Sequence, residues 1–280
     1  MILEKLRRDY LKNICKKLLT IDTNRIPNNA DKHSNISVAL AKGILSEIGY
    51  KTLIAEKAAG QTSGKSFEDI TADYLEKAFK YLRHLRNGKF EFFISKSIYD
   101  FEQYEHLALL SQTLKKSREL KATLGDYIIS PDIVIGRYPV EDKEINSKAN
   151  LIESNEKIAS LTPLRRKNSS IFILHASISC KWTIRSDRSQ NARTEGLNLI
   201  RNRKGKAPHI VIVTAEPYPQ RISSLALGTG DIDCVYHFAL RELIAATRKL
   251  KNESVLDSLE TMVEGKRLRD IGDLPFDLSI

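Results

Sequence analysis

The spacing of apolar residues predicts one long amphipathic helix in the first third of the chain. From Ser63 to Gly88 the apolar positions recur at intervals of three and four residues, and the pair Asn87-Gly88 is typical of a helix end. The recurring positions are Phe67, Ile70, Tyr74, Ala78, Leu82 and Leu85. Because this spacing puts them on one side of a helix, we expect that side to be buried.

Three apolar stretches rich in β-branched residues predict strands, and a helix is predicted between the last two. The strands fall within 126–139, 170–186 and 208–217, and the helix runs from Ser189 to Gly205. The order helix, strand, long loop, strand, helix, strand is typical of α/β proteins. We therefore predict an α/β fold with a mixed central β-sheet flanked by helices.

One long polar segment separates the first two predicted strands. It runs from Tyr138 to Ser169, has few apolar residues, and leaves room for one short helix. Connections of this length are usually functional, so we interpret 138–169 as a polar excursion that can serve as an oligomerisation arm. The remaining pattern contains no internal repeat, and we expect residues 1–280 to form a single domain.

Charge and cysteine content narrow the class of protein. Lys and Arg outnumber Asp and Glu by 45 to 35, so the surface attracts polyanions such as nucleic acid. No stretch approaches the roughly 18 apolar residues of a membrane span, and the charged start is unlike a signal peptide. Cys15, Cys180 and Cys234 lie far apart and form no CxxC, which argues against disulfides and zinc. We expect a reduced, cytoplasmic protein without membrane contact.

Four polar residues stand where a nuclease would need them. Lys181 follows a long apolar run and shares the polar face of its strand with Ser179, because side chains alternate between faces. Asp132 follows Pro131 in an apolar strand, and Glu195 lies on the helix after Lys181. Lys181, Asp132 and Glu195 each have an ordinary alternative: a lysine extending to solvent, an aspartate capping a turn, and a glutamate in a surface ion pair.

Taken together, these residues indicate hydrolysis of a phosphodiester. The reaction needs carboxylates to hold Mg²⁺ near the scissile phosphate and a cation near the attacking water. Asp132, Glu195 and the main-chain carbonyl of Cys180 would supply oxygen ligands, and Lys181 the cation. Glu68 lies at the edge of the buried helix face and is a further candidate, with an acid in the first helical turn as the equal alternative.

A short charged motif, Arg185-Ser186-Asp187-Arg188, precedes the second predicted helix. In the major groove an arginine can bond O6 and N7 of guanine, and an aspartate can accept from N4 of cytosine. Arg185, Asp187 and Arg188 therefore suit a CC/GG half-site. The alternative is a helix cap in which Ser186 or Asp187 accepts backbone N–H bonds.

The chain resembles the NgoMIV-type type II restriction endonucleases, within the wider PD-(D/E)xK nucleases. The resemblance extends over most of the chain and is densest in four blocks, with a fifth matching block in the first half. These blocks are LHASISCKWTIRSDRSQNARTEGLNLIRNRKG, PHIVIVTAEP, RISSLALGTGDIDCVYHFAL, GKRLRDIGDLPFDL and, in the first half, GQTSGKSFEDI. It implies a restriction-endonuclease-like core and Mg²⁺-dependent cleavage of double-stranded DNA.

The resemblance also implies roles for individual residues. In this family a serine replaces the acid beside the catalytic lysine, and a glutamate from the next helix takes its place. Ser179, Lys181 and Glu195 match that arrangement, and Asp132 and Glu68 complete the catalytic set. The motif from Arg185 to Arg188 corresponds to the family's reader of the inner CCGG. The other positions matching DNA contacts are Asp31 and Arg221 at the outer G·C pair, Gln61 in the minor groove, and Ser34.

By the same resemblance we expect the site GCCGGC, cut after the first G, and a tetramer made of two dimers. A palindrome independently calls for a two-fold dimer, since the reading surface must be presented twice. A companion DNA methyltransferase is expected in the host. The alternatives are a DNA-binding protein that reads CCGG without cutting and a nuclease for repair or recombination junctions. The intact Asp132, Lys181 and Glu195 argue against the first, and the Arg185–Arg188 motif argues against the second.

Overall fold

The structure is a computed structural model that describes residues 1–54, 60–124, 129–153 and 157–280. Within this range, the side chains of 60–62, 121, 123, 124 and 186–189 lie outside the description. The helices are α1 Ile2–Lys17, α2 Asn35–Ile48, α3 Gly60–Tyr81, α4 Leu107–Lys116, α5 Arg118–Leu124, α6 Asp142–Ile145, α7 Ser186–Asn202, α8 Pro219–Ala226, α9 Leu240–Leu250, α10 Glu253–Glu264 and α11 Leu274–Asp277. The strands are β1 Thr20–Ile21, β2 Leu53–Ile54, β3 Phe90–Ile94, β4 Ile133–Arg137, β5 Ile173–Lys181, β6 His209–Thr214, β7 Cys234–His237 and β8 Leu268–Asp270.

A mixed six-stranded sheet forms the centre of the fold, in the order β3-β4-β5-β6-β7-β8. β3 and β4 are antiparallel, with Phe92 opposite Ile135, whereas β6, β7 and β8 run parallel. Parallel strands need crossover connections, and the helices α8 and α9–α10 supply them between β6, β7 and β8. The predicted α/β fold with a mixed sheet flanked by helices is confirmed.

The chain divides into two compact units. The first contains Met1–Arg86, Ile178–Leu197 and Ile210–Ile280, and the second contains Asn87–Ser177 and Asn198–His209. The residues proposed for the reaction divide between them. Asp132 belongs to the second unit, and the other proposed catalytic and DNA-contacting residues belong to the first.

Helix pairs enclose the core of the first unit. α2 packs against α9 so closely that a Cβ on Gly43 would lie 2.7 Å from the Cβ of Ala246. α1 packs against α3, where the rings of Tyr10 and Tyr74 are 5.0 Å apart. Arg7, buried on α1, bonds both carboxylate oxygens of Asp270 at 2.7 Å and both of Glu242 at 2.7 and 2.9 Å. Loss of one charged member of such a network costs stability, because the remaining buried charges are then less well compensated.

The second unit has its own apolar centre. Phe93 of β3 packs edge-to-face on Phe172, with ring centroids 5.2 Å apart. The buried side chain of Gln103 imitates a strand neighbour, since it accepts from the amide of Leu174 and donates to the carbonyl of Leu174, both at 2.8 Å. Tyr104 donates its hydroxyl to the carbonyl of Leu199 at 2.9 Å. These bonds satisfy polar groups that would otherwise be buried without a partner.

The described residues of the polar excursion, 138–153 and 157–169, contain local structure. The excursion contains α6, which is the short helix the sequence left room for, and Val140 forms a parallel bridge with Arg165. Arg165 is buried and makes a two-pronged ion pair with Asp142 at 2.6 and 2.7 Å. In contrast, three of its apolar residues are exposed: Leu151, Ile158 and Leu161 are 61%, 61% and 92% exposed.

Both ends of the first long helix differ from the sequence prediction. The first long helix ends at Tyr81 rather than at Asn87-Gly88, because a 3-10 turn over Arg83–Leu85 intervenes before β3. It also begins at Gly60, so Glu68 lies in the third turn, and the alternative of an acid in the first turn is wrong. No helix among the described residues is long and apolar enough to cross a membrane.

Candidate functional site

The end of β5 presents the predicted polar face. Leu174, Ala176, Ile178 and Cys180 are buried on one face of the strand. Ser179 and Lys181 lie on the other face, as the alternation predicted. Lys181 is the last residue of the strand, and its carbonyl accepts two bonds, from the amide of Ala215 at 3.1 Å and the hydroxyl of Thr214 at 2.8 Å. The neighbouring end of β6 thus fixes the backbone at Lys181.

The helix segment carrying Glu68 packs beside this strand end. Phe67 is fully buried and its ring lies 5.3 Å from that of Trp182, the residue after Lys181. Glu68 is half-buried, and an added Cβ on Gly64 would lie 3.9 Å from its Oε1, so the side chain runs back along the preceding turn. Glu68 is therefore held in the neighbourhood of the Lys181 segment through its neighbour Phe67.

α7, which carries the half-buried Glu195, is fastened on both sides of that residue. An added Cβ on Gly196 would lie 2.5 Å from the carbonyl oxygen of Asp231, so only glycine permits the observed approach. Arg193 forms an ion pair with the carboxylate of Asp231. The position of Glu195 along the helix is consequently fixed by the loop that precedes β7.

A cleft of about 710 Å³ brings together three of the predicted DNA-contacting residues. Asp31 comes from the loop before α2, Arg185 from the segment after β5, and Arg221 from α8. The lining is Asn29, Ala30, Asp31, Lys32, His33, Thr183, Ile184, Arg185, Gln220, Arg221 and Ser224. Asp31 and Arg221, 190 positions apart in sequence, form an ion pair there. We refer to this feature as the recognition cleft.

Comparison with known proteins decides what class of enzyme carries this cleft. The model of the NgoMIV restriction enzyme family matches residues 10–280. The type II restriction enzyme NgoMIV of Neisseria gonorrhoeae is 48% identical over 281 residues, which cover 98% of this chain and 97% of that protein. The chain belongs to the NgoMIV restriction enzyme family.

Membership in the family makes this chain a type II restriction enzyme, a site-specific deoxyribonuclease that binds double-stranded DNA. The resemblance found in the sequence and the expectation of an enzyme are both confirmed. The reading as a DNA-binding protein that does not cut is set aside on the same ground. The six-stranded mixed sheet agrees with a restriction-endonuclease-like core.

In this family member the candidate carboxylate Asp132 lies just before β4 rather than inside a strand. β4 begins at Ile133, which pairs with Ile94 as the last residue pair between β3 and β4. The carbonyl of Asp132 accepts from the amide of Ser95 at 3.0 Å, and the residue is half-buried. The sequence interpretation of Asp132 as an interruption of the strand is therefore corrected: the proline before it keeps the strand from starting earlier.

Hydrogen bonds in the recognition cleft favour the ionised form of the Asp31 carboxyl. The amide of His33 donates to Asp31 at 3.0 Å, and this bond, followed by that of Arg221, lowers the pKa of the Asp31 carboxyl. Asp31 therefore stays ionised near neutral pH. Its carboxylate can accept hydrogen bonds but cannot donate them, which is the requirement for pairing with a base amino group.

Three predicted contacts are not settled by side-chain geometry. Gln61, Asp187 and Arg188 have side chains outside the described part of the structure. α7 begins at Ser186, so Asp187 and Arg188 occupy its first turn while Arg185 precedes it and is exposed.

Ser34 has a structural role, because it is the N-cap of α2 and its hydroxyl accepts a hydrogen bond from the amide of Ser37 at 3.2 Å.

The donor types proposed for a metal ion fit Mg²⁺, which prefers oxygen ligands. The set combines two carboxylates, Asp132 and Glu195, with the main-chain carbonyl of Cys180. Within the described ranges, no group of three His, Cys, Asp or Glu side chains is placed to hold a metal ion. The proposed set has only two acidic side chains, so it would not form such a group of three. Because the set contains no imidazole or thiolate, it does not suit zinc.

One residue of the site escaped the sequence analysis. Glu216 follows β6 and is fully buried, and its carboxylate accepts bonds from segments on two sides of the recognition cleft. Burial raises the pKa of its carboxyl to about 7, against the lowering effect of the amide of Ile184 and of Arg221. The available signal was an acid directly after an apolar strand, in VIVTAEP.

Proposed function

We propose that this enzyme hydrolyses double-stranded DNA at the palindrome GCCGGC, after the first G, and leaves a 5′-CCGG overhang with 5′-phosphate and 3′-hydroxyl ends. The observation that carries the proposal is the recognition cleft, in which Asp31, Arg185 and Arg221 meet from three distant segments. These are the residue types that pair with guanine and cytosine in the major groove.

Within this proposal the two sets of base pairs are read by different segments. Arg185, Asp187 and Arg188 read the inner CCGG from the start of α7. Asp31 and Arg221 read the outer G·C pair. Their ion pair supports this division, because an aspartate and an arginine held side by side can serve the cytosine and the guanine of one base pair. Gln61 and Ser34 would contact DNA nearby.

The proposed reaction is a hydrolysis in which Lys181 orients the attacking water and stabilises negative charge on the phosphate in the transition state. Asp132, Glu195 and the carbonyl of Cys180 would hold Mg²⁺, whose bound state supplies a Lewis acid and lowers the pKa of water. Ser179 takes the place of the second acid of the PD-(D/E)xK pattern. Glu68 adds a carboxylate near the Lys181 segment.

The proposed assembly is a tetramer of two dimers that holds two DNA duplexes. The exposed Leu151, Ile158 and Leu161 support it, since three exposed apolar side chains in one segment suit burial against another subunit. A dimer mass in light scattering, together with equal cleavage rates on plasmids with one and two sites, would overturn this part. The host is expected to supply a DNA methyltransferase for the same site.

The decisive experiment is digestion of a sequenced genome with the purified enzyme and Mg²⁺, followed by sequencing of the fragment ends. We expect every fragment end to begin with 5′-CCGG, and the genome sequence to have a G directly before that CCGG at every cut. Ends at another palindrome would refute the proposed site, and cleavage undiminished by a chelator would refute the metal requirement. The same digest in Ca²⁺ is the control for binding without cutting.

A further inference from the structure

The carboxylate of Glu216 joins two segments that line the recognition cleft. Its Oε2 accepts from the amide of Ile184 at 2.9 Å, and its Oε1 accepts from the amide of Tyr218 at 3.2 Å. Ile184 immediately precedes Arg185, and Tyr218 immediately precedes α8, which carries Arg221. One buried side chain thus links the backbones on which two proposed base-reading arginines stand.

The backbone of Glu216 is itself held from the opposite side. The Nδ1 of His237 accepts from the amide of Ala239 at 3.2 Å, so its proton is on Nε2, which donates to the carbonyl of Glu216 at 3.1 Å. His237 is fully buried, and burial lowers its pKa to about 4, which keeps the ring neutral at pH 7. A fixed neutral donor in β7 therefore anchors Glu216.

The two residues before Glu216 extend the same connection. Ala215 accepts from the Nδ2 of Asn29 at 2.8 Å, and Asn29 lies two positions before Asp31. On the catalytic side, Thr214 and Ala215 bond the carbonyl of Lys181. The stretch 214–216 therefore touches each segment that contributes a cleft residue and the strand that carries the catalytic lysine.

Only a carboxylate satisfies both amides. A neutral glutamine offers one oxygen and turns an NH₂ group toward the second N–H, which sets a donor against a donor. A buried charge costs free energy unless it is compensated, so a fully buried glutamate at this place needs a reason. Holding two amides at once, with Arg221 near, is that reason.

We propose that Glu216 is a positioning residue for base recognition, whose carboxylate sets the placement of the Arg185 and Arg221 segments at the recognition cleft by accepting from Ile184 and Tyr218. The inference rests on the proposed role of the cleft as the DNA-reading surface. It assigns Glu216 no contact with DNA.

A second buried carboxylate provides a matched control. Asp270 accepts from the amides of Leu240 at 3.0 Å and Gly272 at 2.8 Å, and it also pairs with Arg7. Neither of those amides leads into a residue of the recognition cleft. Glu216→Gln and Asp270→Asn therefore make the same chemical change in the same compact unit, but only the first touches the proposed reading surface.

The test is run at pH 8 or above, where the Glu216 carboxyl with its pKa of about 7 is ionised. It measures the dissociation constants for the preferred duplex and for an unrelated duplex in Ca²⁺, and the single-turnover cleavage rate at saturating DNA in Mg²⁺. The preferred duplex is first taken from the fragment ends of the wild-type digest. The outcome for Glu216 is therefore independent of whether that site is GCCGGC. Circular dichroism and melting curves verify that each variant is folded.

For Glu216→Gln we expect the ratio of the dissociation constant for the unrelated duplex to that for the preferred duplex to fall at least about tenfold, the equivalent of about 1.4 kcal/mol. Unrelated DNA should bind unchanged, because non-specific affinity comes from phosphate charge. The saturating cleavage rate should fall less than the affinity. Asp270→Asn should keep the ratio within about threefold even if it melts earlier. A retained ratio in Glu216→Gln, or an equal loss in Asp270→Asn, overturns the proposal.

Two further variants separate positioning from a general loss of structure. Glu216→Asp keeps the charge but is one methylene too short to reach both amides, so it should lose part of the ratio. If neither Glu216 variant folds, the residue holds the fold rather than the cleft and the inference is wrong. In an Arg221→Ala background, Glu216→Gln should not further relax the base pair that Arg221→Ala alone relaxes, whereas a purely structural role would add its full effect.

Discussion

The recognition cleft and the end of β5 lie in the same compact unit but are held by different forces. The cleft is assembled from three segments distant in sequence, joined by side chains: the Arg221–Asp31 ion pair and the carboxylate of Glu216. The end of β5 is held at the end of β6, where the amide of Ala215 and the hydroxyl of Thr214 bond the carbonyl of Lys181, and by the buried Trp182. Under the roles proposed above, reading of the base sequence would depend on charges, and placement of Lys181 would depend on the sheet.

This difference predicts that binding and cleavage can be separated by substitution. A change on the polar face of β5 leaves the charged cleft intact, so discrimination between DNA sequences should survive it. A change in the cleft leaves the strand end intact, so the enzyme should still cut any duplex that it is forced to bind at high concentration.

The largest effect is expected for Lys181→Ala. Cleavage should fall at least about a thousandfold, the upper range for loss of one group that stabilises a transition state. Binding of the preferred duplex in Ca²⁺ should change little, since Lys181 serves the transition state more than the bound ground state. Single-turnover cleavage and fluorescence anisotropy measure the two quantities. Lys16→Ala, at an exposed position of α1, is the control, and near-normal cleavage by Lys181→Ala would remove the proposed active site.

The pH dependence of stability distinguishes the two buried carboxylates. The folded pKa of Glu216 is about 7 and its ordinary value is 4.5, so the folded state binds more protons between these values and the free energy of unfolding falls as pH rises. At about 1.4 kcal/mol per pKa unit the contribution lost across this window is about 3 kcal/mol. Glu216→Gln lacks the titration, so it should gain stability relative to wild type from pH 5 to pH 8.

Asp270→Asn serves as the reference for that measurement. Burial opposes ionisation of Asp270, but Arg7 outweighs it and holds the pKa of the carboxyl below its ordinary value of 3.8. The stability that this pairing contributes is lost only as pH falls through the lowered pKa, outside the window from pH 5 to pH 8. The difference in unfolding free energy between Asp270→Asn and wild type, measured in urea, should therefore be flat there. A slope as steep as that of Glu216→Gln would contradict the assignment.

Elements with a strong local pattern were predictable from the sequence, and elements that depend on tertiary context were not. β5 and β6 are long β-branched runs, and α7 has clear helical spacing, so each was predicted. β3, with the sequence FEFFI, has no alternating pattern that would predict a strand. Which of its sides is buried depends on its neighbours in the second unit. Likewise, the pair Asn87-Gly88 is a local signal for a helix end, but the helix ends earlier, at Tyr81.

The candidate site shows the same division. Lys181 and Ser179 follow from strand alternation, and Arg185 from a compact charged motif at a helix start. Asp31 and Arg221 could be connected only through family resemblance, since no local pattern relates residues 190 positions apart. Glu216 stands out in the sequence only as an acid directly after an apolar strand, because the two amides that bond its carboxylate carry no sequence signature.

Within the cleft, the inner and outer readers should differ in the size of their effects. Arg185→Ala should weaken binding of the preferred duplex about a hundredfold, because each lost guanine contact costs about 1–3 kcal/mol and a two-fold dimer loses it twice. Arg221→Ala should cost about tenfold and relax only the outer pair, with CCGG still required. A panel of duplexes with one symmetric pair changed at a time measures this. Relaxation of an inner pair by Arg221→Ala, with Arg185→Ala affecting the outer pair, would reverse the assignment.

The smallest effect is expected at Ser34, which lies near the cleft but caps α2. Removing an N-cap hydroxyl costs about 1 kcal/mol, so Ser34→Ala should lower the free energy of unfolding by that amount. Ser34→Asn keeps an acceptor oxygen for the amide of Ser37 and should restore stability, and if capping is the whole role of Ser34 it should also keep normal cleavage. Should Ser34→Asn recover stability while cleavage remains impaired, Ser34 contacts the DNA as the resemblance implies, because its hydroxyl would then be needed for more than the cap.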